Sequence, residues 1–378
     1  MMPFRVSAQT AWLTLADPLP LESGRVLPDV RVAFRTWGRL SAQGDNAVIV
    51  CHALTGSADA DVWWAELFGA GKVLDPERDF IVCSNVLGGC YGTSGPTSLA
   101  PHGQRWGARF PEVSIRDQVR LQMRLADHLG IRSIRFVIGG SMGGLAALEW
   151  ALMDPERVQA VVSIAASGRH SAWCMAWSEA QRLALQADPR FHRGQYLPSE
   201  PPVRGLAAAR AMAMISYRSP VSLESRFGRA SAHEVFAEHT RAPDDLAVRD
   251  WLRHHGQALA SRFDANSYLT LLNAMDSHDL GRWRGVYENV LKRMTQPVLI
   301  GSVISDALYV PAEQRSLAFL LPRGELFEID SEHGHDGFLI DAAAFEPRVR
   351  RFVQRLPAAA PPLPMDVSRN AGRLRYAW

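Results

Sequence analysis

The stretch VIGGSMGGLAALEWALMDP, Val137 to Pro155, contains Gly139-Gly140-Ser141-Met142-Gly143, a G-x-S-x-G string. It lies between the apolar run Ile134 to Ile138 and a helical pattern from Gly143 to Met153. A chain of this length holds such a string by chance about one time in ten, so its flanks decide the reading. A nucleophilic serine needs a buried strand before it and a helix after it. The strained turn between them lifts Oγ above the sheet, and the flanking glycines leave room for that turn. The competing reading is a glycine-rich tight turn with a satisfied serine.

Outward from this point, short apolar runs alternate with helical patterns. Ala47 to Cys51, Phe80 to Cys83, Ile134 to Ile138, Val161 to Ile164, Pro297 to Ile300 and Glu325 to Ile329 read as buried strands of a mostly parallel sheet. Helix candidates such as Ile115 to Leu129 stand between them, the pattern of crossovers with helices on both faces, so the fold class is α/β. From Arg169 to about Asn289 the strand pattern gives way to alanine, leucine, arginine and methionine at helical spacing. Because strands resume at Pro297 and run on to a last helix, Phe345 to Leu356, this segment interrupts one domain. The expected organisation is an α/β core over 1–168 and 290–356, a helical lid insertion over 169–289, and a C-terminal tail over 357–378 to which no function is assigned.

At 378 residues the chain is long enough for one large domain with an elaboration. Lys and Arg number 41 against 39 Asp and Glu, without a basic stripe, which argues against nucleic acid as a partner. No apolar stretch reaches the roughly 18 residues of a membrane span, and no secretory leader opens the chain. The four cysteines, Cys51, Cys83, Cys90 and Cys174, lack metal-type spacing and read as reduced thiols, so a cytoplasmic protein without a metal site is expected.

A serine nucleophile needs a base and an orienting acid, which follow it in the order Ser, Asp, His. Asp306 stands just after the strand ending at Ile300, and His335 just after the strand ending at Ile329, both at the sheet edge where open α/β sheets keep their sites. The interval between them holds one helix, Ala312 to Leu321, and one strand. Asp306 could instead cap the helix after Pro311, with Glu313 as its acidic rival, and His333 competes with His335 as base. The oxyanion needs two backbone N–H donors. Met142, after the nucleophile, supplies one; Leu54, with Ala53 or Thr55 as alternatives, supplies the other from the loop after the first buried strand. His52 precedes the serine, against that order, and reads as structural.

Several stretches together resemble the homoserine O-acetyltransferase family, a branch of the α/β-hydrolase fold. They are HALTG (His52 to Gly56), NVLGGCYGTSGPTS (Asn85 to Ser98), GGSMGG (Gly139 to Gly144), RFDANSYL (Arg262 to Leu269), AMDSHDL (Ala274 to Leu280) and GHDGFL (Gly334 to Leu339), spread over about Leu27 to Leu356. The resemblance implies transfer of an acetyl group from acetyl-CoA, a co-substrate and not a bound cofactor, to the hydroxyl of L-homoserine through an acyl-serine, in a homodimer. Such an acceptor is a zwitterion and calls for one cation and one anion. Arg210 and Tyr217 stand about two helical turns apart, on one helix face. The resemblance assigns them to the acceptor carboxylate and Asp336 to its ammonium group.

Relatives that use succinyl-CoA carry an arginine two residues after the triad aspartate, where this chain has Leu308. Without a cation there, a buried second carboxylate is costly, so acetyl is the expected donor. Two departures from the family pattern bear on donor and acceptor: Leu308-Tyr309-Val310-Pro311 holds one residue more than the usual LYP, and the loop Ser57 to Val62 is short. The alternatives are succinyl-CoA as donor, with Arg169 or Arg218 as the cation; serine as acceptor; an esterase or thioesterase lacking a zwitterion site; and a silent binding protein.

Overall fold

The computed structural model of the protein describes residues 6–237 and 244–357. The tail assigned to 357–378 lies, from residue 358 onward, outside the described residues. The chain begins with β1 (Ala11–Thr14), a short hairpin of β2 (Leu19–Pro20) and β3 (Val26–Leu27), and β4 (Arg31–Trp37). The core strands follow: β5 (Ala47–Cys51), β6 (Phe80–Ser84), β7 (Ile134–Gly140), β8 (Val161–Ile164), β9 (Val298–Val303) and β10 (Gly324–Ile329). Eight of these form one sheet in the order β1-β4-β6-β5-β7-β8-β9-β10. From β6 to β10 every pairing is parallel, and β4 and β1 extend the edge in antiparallel fashion.

The strict alternation of side chains along each strand divides the core between the two faces. On β5, Ile49 and Cys51 join one hydrophobic cluster, with Val119 and Leu145. Val48 and Val50 join the other, with Phe345 and Phe352. The first cluster draws in helices α2 (Ile115–His128), α3 (Met142–Met153) and α11 (Pro311–Leu320); the second draws in α1 (Ala60–Trp63) and α13 (Ala342–Gln354), which follows α12 (Gly337–Ile340). Helix α2 starts at a capping box in which the Ser114 hydroxyl accepts from the Asp117 amide and the Asp117 carboxylate accepts from the Ser114 amide.

Between β8 and β9 the described residues form α4 (Ala172–Gln186), α5 (Val203–Tyr217), α6 (Pro220–Phe227), α7 (Ala232–Phe236), α8 (Ala247–Ala260), α9 (Ala265–Asp276) and α10 (Tyr287–Leu291). Met214, Phe227, Ala247 and Trp251 give this helical insertion a small core of its own. Its return to the sheet is held by buried charge. Glu149 of α3, 1% exposed, receives Arg116 at 3.0 Å and Arg284 at 2.7 Å, while the Asp279 carbonyl accepts from Arg116. The insertion is therefore tied to α3, the helix that follows Ser141.

Candidate active site

Ser141 occupies the turn between β7 and α3 with φ 56° and ψ −127°, a left-handed conformation that a side chain rarely adopts. The surrounding glycines explain how the turn is built. A Cβ on Gly139 would lie 2.2 Å from the Gly143 carbonyl oxygen, and one on Gly143 would lie 2.0 Å from the Cys51 carbonyl oxygen. Both contacts are between a fixed Cβ and backbone atoms, so no side-chain rotation could relieve them. The G-x-S-x-G string is thus a packing requirement of the joint between β5, β7 and α3.

Asp306 follows β9 and His335 follows β10, so three parallel strands deliver the three side chains to one edge of the sheet. Ser141 Oγ stands 2.8 Å from His335 Nε2, and His335 Nδ1 stands 2.7 Å from Asp306 Oδ2. The other Asp306 oxygen accepts from the amides of Leu308 at 2.8 Å and Tyr309 at 3.0 Å. Asp306 does not cap α11, whose N-cap is Val310, and the Glu313 and His333 side chains take no part in the Ser–His–Asp contacts. Burial alone would push the His335 imidazole down; Asp306, by charge and hydrogen bond, and Asp336 outweigh it and raise the pKa. Rings of Tyr217, Tyr309 and Phe338 surround His335 with centroids 5.5, 5.5 and 5.4 Å away.

The loop after β5 is fixed by His52. Its Nδ1 donates to the Ala53 carbonyl at 2.8 Å, and its Nε2 accepts from the Val86 amide at 3.1 Å. A carbonyl can only accept and an amide N–H can only donate, so the ring is neutral with its proton on Nδ1; burial pushes its pKa down to about 4, which agrees. Gly56 N–H also donates to the Ala53 carbonyl, at 2.9 Å. In a trans peptide the next N–H, that of Leu54, points the opposite way. Among the described residues neither the Leu54 nor the Met142 N–H donates to a protein acceptor. Arg262 of the insertion reaches the Thr55 carbonyl at 3.1 Å, and Tyr91 donates to the Arg262 carbonyl at 3.1 Å. The stretches HALTG, NVLGGCYGTSGPTS and RFDANSYL thereby meet at this loop.

Arg210 and Tyr217 share a face of α5, with the guanidinium 5.2 Å from the centre of the Tyr217 ring that packs on His335. Asp336 lies beside His335 and is largely buried. Burial raises its pKa, against the pull of Arg218, Arg210 and His335. Arg218 Nε approaches Asp336 Oδ2 at 3.3 Å, a pairing that the sequence reading did not contain. Leu308 is buried, and its carbonyl accepts from Cys174 Sγ at 3.2 Å. Trp173 Nε1 donates to the Ala307 carbonyl at 2.6 Å, so the first turn of α4 grips the loop that carries Asp306.

The sequence pattern of the alpha/beta hydrolase fold matches residues 46–342. The homoserine O-acetyltransferase of Trichormus variabilis is 53% identical over 352 residues, 93% of this chain and 96% of that one. Among solved structures, homoserine O-acetyltransferase from Bacillus anthracis superposes with a TM-score of 0.83 at 23% identity, over 93% of this chain and 98% of that one. Esterase E22 superposes almost as well, with a TM-score of 0.81 at 24% identity over 91% and 99%. The architecture is therefore common to transferases and hydrolases, and the sequence relatives carry the finer assignment. The chain belongs to the homoserine O-acetyltransferase family, within the alpha/beta hydrolase fold.

Proposed function

We propose that the protein transfers an acetyl group from acetyl-CoA to the hydroxyl of L-homoserine through an acetyl-Ser141 intermediate, a step of methionine biosynthesis. The observation that carries this reading is the joining of two constellations at one imidazole. His335 meets Ser141 through Nε2 and Asp306 through Nδ1, while Tyr217 packs on its ring with Arg210 against that tyrosine, and Asp336 follows it in the chain. An esterase needs only the first; an amino-acid acceptor needs a cation and an anion beside it.

In the first half-reaction Ser141 Oγ attacks the thioester carbonyl while His335 Nε2 takes its proton. The charge on the carbonyl oxygen is received by the Leu54 and Met142 N–H groups. The carbon–sulfur bond breaks, and the proton on His335 passes to the departing CoA thiolate. In the second half-reaction His335 takes the proton of the homoserine hydroxyl, whose oxygen attacks the acetyl carbonyl. The bond to Ser141 breaks, and the proton returns to Oγ. Arg210 and Tyr217 hold the acceptor carboxylate and Asp336 its ammonium group. Leu308, an uncharged side chain two residues after the acid, favours acetyl over succinyl.

This reading takes the enzyme as a cytoplasmic homodimer acting on small molecules, with neither nucleic acid nor membrane as partner and no metal. Among the described residues no helix is long and apolar enough to cross a membrane. A matrix of acetyl-CoA and succinyl-CoA against homoserine and serine, read by CoA release and product mass, tests the assignment. Acetyl transfer to homoserine should dominate, and release of acetate regardless of acceptor would contradict it.

A further inference from the structure

Tyr309 is 1% exposed and is attached at three points. Its amide donates to Asp306 Oδ1 at 3.0 Å, its ring packs on the His335 ring at 5.5 Å, and its hydroxyl stands 3.0 Å from His170 Nδ1. Of the three rings around His335 it is the one, among the described residues, with a hydroxyl in a hydrogen bond. His170 lies at the start of the insertion, where its own amide donates to the His278 carbonyl at 2.9 Å. Burial pushes its pKa down to about 4, so the ring is neutral; its Nε2 faces Asp276 Oδ1 at 3.6 Å. Asp276 in turn holds Arg182 of α4 at 2.7 Å. One line of contacts thus runs from the helical insertion through His170 and Tyr309 to both the acid and the base.

We infer that Tyr309 is a positioning residue for the triad and that His170 holds it in place. The hydroxyl donates to His170 Nδ1, which fixes the ring as a wall for the His335 imidazole and fixes the Tyr309 amide on Asp306. Any buried tyrosine seeks a hydrogen-bond partner, so a purely structural role is the competing account. The two differ in what removal of the hydroxyl does. If the bond only satisfies a buried group, its loss lowers stability and leaves turnover per folded molecule intact. If it positions the triad, its loss lowers kcat with little change in KM.

The inference rests on reading His335 and Asp306 as base and acid, and p-nitrophenyl acetate tests it without an acceptor amino acid. Failure of the wild type to use homoserine would therefore overturn the proposed acceptor and leave this test standing. Tyr309→Phe, His170→Ala and the double variant are compared per active site, counted by the acylation burst. Each single change should lower the rate constant of the burst, which reports acylation of Ser141, by about fivefold to tenfold, with the substrate concentration for half-saturation of that burst within about twofold. The double variant should be no worse than the poorer single, because both remove one bond. The low-field proton resonance of His335 Nδ1 should also move in Tyr309→Phe. A Tyr309→Phe burst rate constant within about twofold of wild type, multiplied losses in the double variant, or an unmoved resonance would overturn the inference.

Discussion

Replacing Gly143 by alanine strikes the joint that holds both candidate oxyanion donors. The added Cβ would lie 2.0 Å from the Cys51 carbonyl oxygen, 2.7 Å from its carbon and 3.1 Å from the His52 carbonyl oxygen, where ordinary contact begins at 3.4 Å. All three atoms are backbone, so relief requires α3 and the β5 end to part by about 1.4 Å. Met142 leads α3 and Leu54 follows β5, so that displacement separates the two N–H groups. Overpacking of this kind costs about 1–3 kcal/mol of stability. Misplacement by about 1 Å can cost about a hundredfold in rate, as can loss of one oxyanion donor. Gly143→Ala should therefore fold with a lower Tm and turn over acetyl-CoA about a hundredfold more slowly per titrated site. Gly140→Ala makes an informative companion: its Cβ would meet the Phe338 ring at 2.4 Å, a buried side chain packed against Trp64 and His335, so the clash presses on the wall of the His335 ring and not on the oxyanion donors. Thermal melts and burst-titrated turnover check both. A Gly143→Ala protein with wild-type Tm and kcat would refute the claim that this glycine sets the spacing of the oxyanion site.

His335 must be neutral to act as base, and its raised pKa places the acid limb of kcat/KM above the ordinary imidazole value of about 6.5. The same shift stabilises the fold while His335 is protonated, fully below the unfolded pKa, and that contribution is lost as pH rises through the folded pKa. Asp306→Asn removes the largest raising cause, so burial should carry the limb downward while the rate falls by about ten-thousandfold; a pH profile with an unmoved limb would contradict this. Arg210→Ala should impair acetyl transfer to homoserine far more than acylation of Ser141, measured as separate half-reactions, and equal losses would assign Arg210 to the fold. Asp336→Ala is the less clean variant, since it strips Arg218 of its carboxylate as well. Acetyl-CoA should exceed succinyl-CoA by about a hundredfold in kcat/KM. Leu308→Arg should narrow that ratio, and wild-type preference for succinyl-CoA would overturn the reading of Leu308.

The central parallel strands β5, β6 and β7 were legible because they are buried on both faces and read as largely apolar runs. The antiparallel edge was not: β1 is four residues long, and β4 carries Arg35, whose guanidinium is paired with Asp59 and Asp61. Element ends shifted by a few residues. The last helix begins at Ala342 and continues through Pro347, its sixth residue, whose missing N–H leaves the Ala343 carbonyl without its usual helical donor. Ser141, Asp306 and His335 could be found because each follows a strand in a fixed order. The pairing of Arg218 with Asp336 and the contact of His170 with Tyr309 could not. Each joins the insertion to a core loop distant in sequence, and no local spacing records such a meeting. The stretch AMDSHDL was visible as a resemblance, but its work, receiving Arg116, Arg182 and the His170 amide, appears only in three dimensions.

The central claim is tested most directly by trapping the intermediate and watching it react. Brief incubation with acetyl-CoA alone should release one CoA per active site and leave an acetyl group on Ser141, located by peptide mass spectrometry. Subsequent L-homoserine should discharge that group as O-acetylhomoserine, and Ser141→Ala should show neither event. An adduct on Cys90 or another residue, or an acetyl-Ser141 that yields only acetate when homoserine is added, would contradict the account.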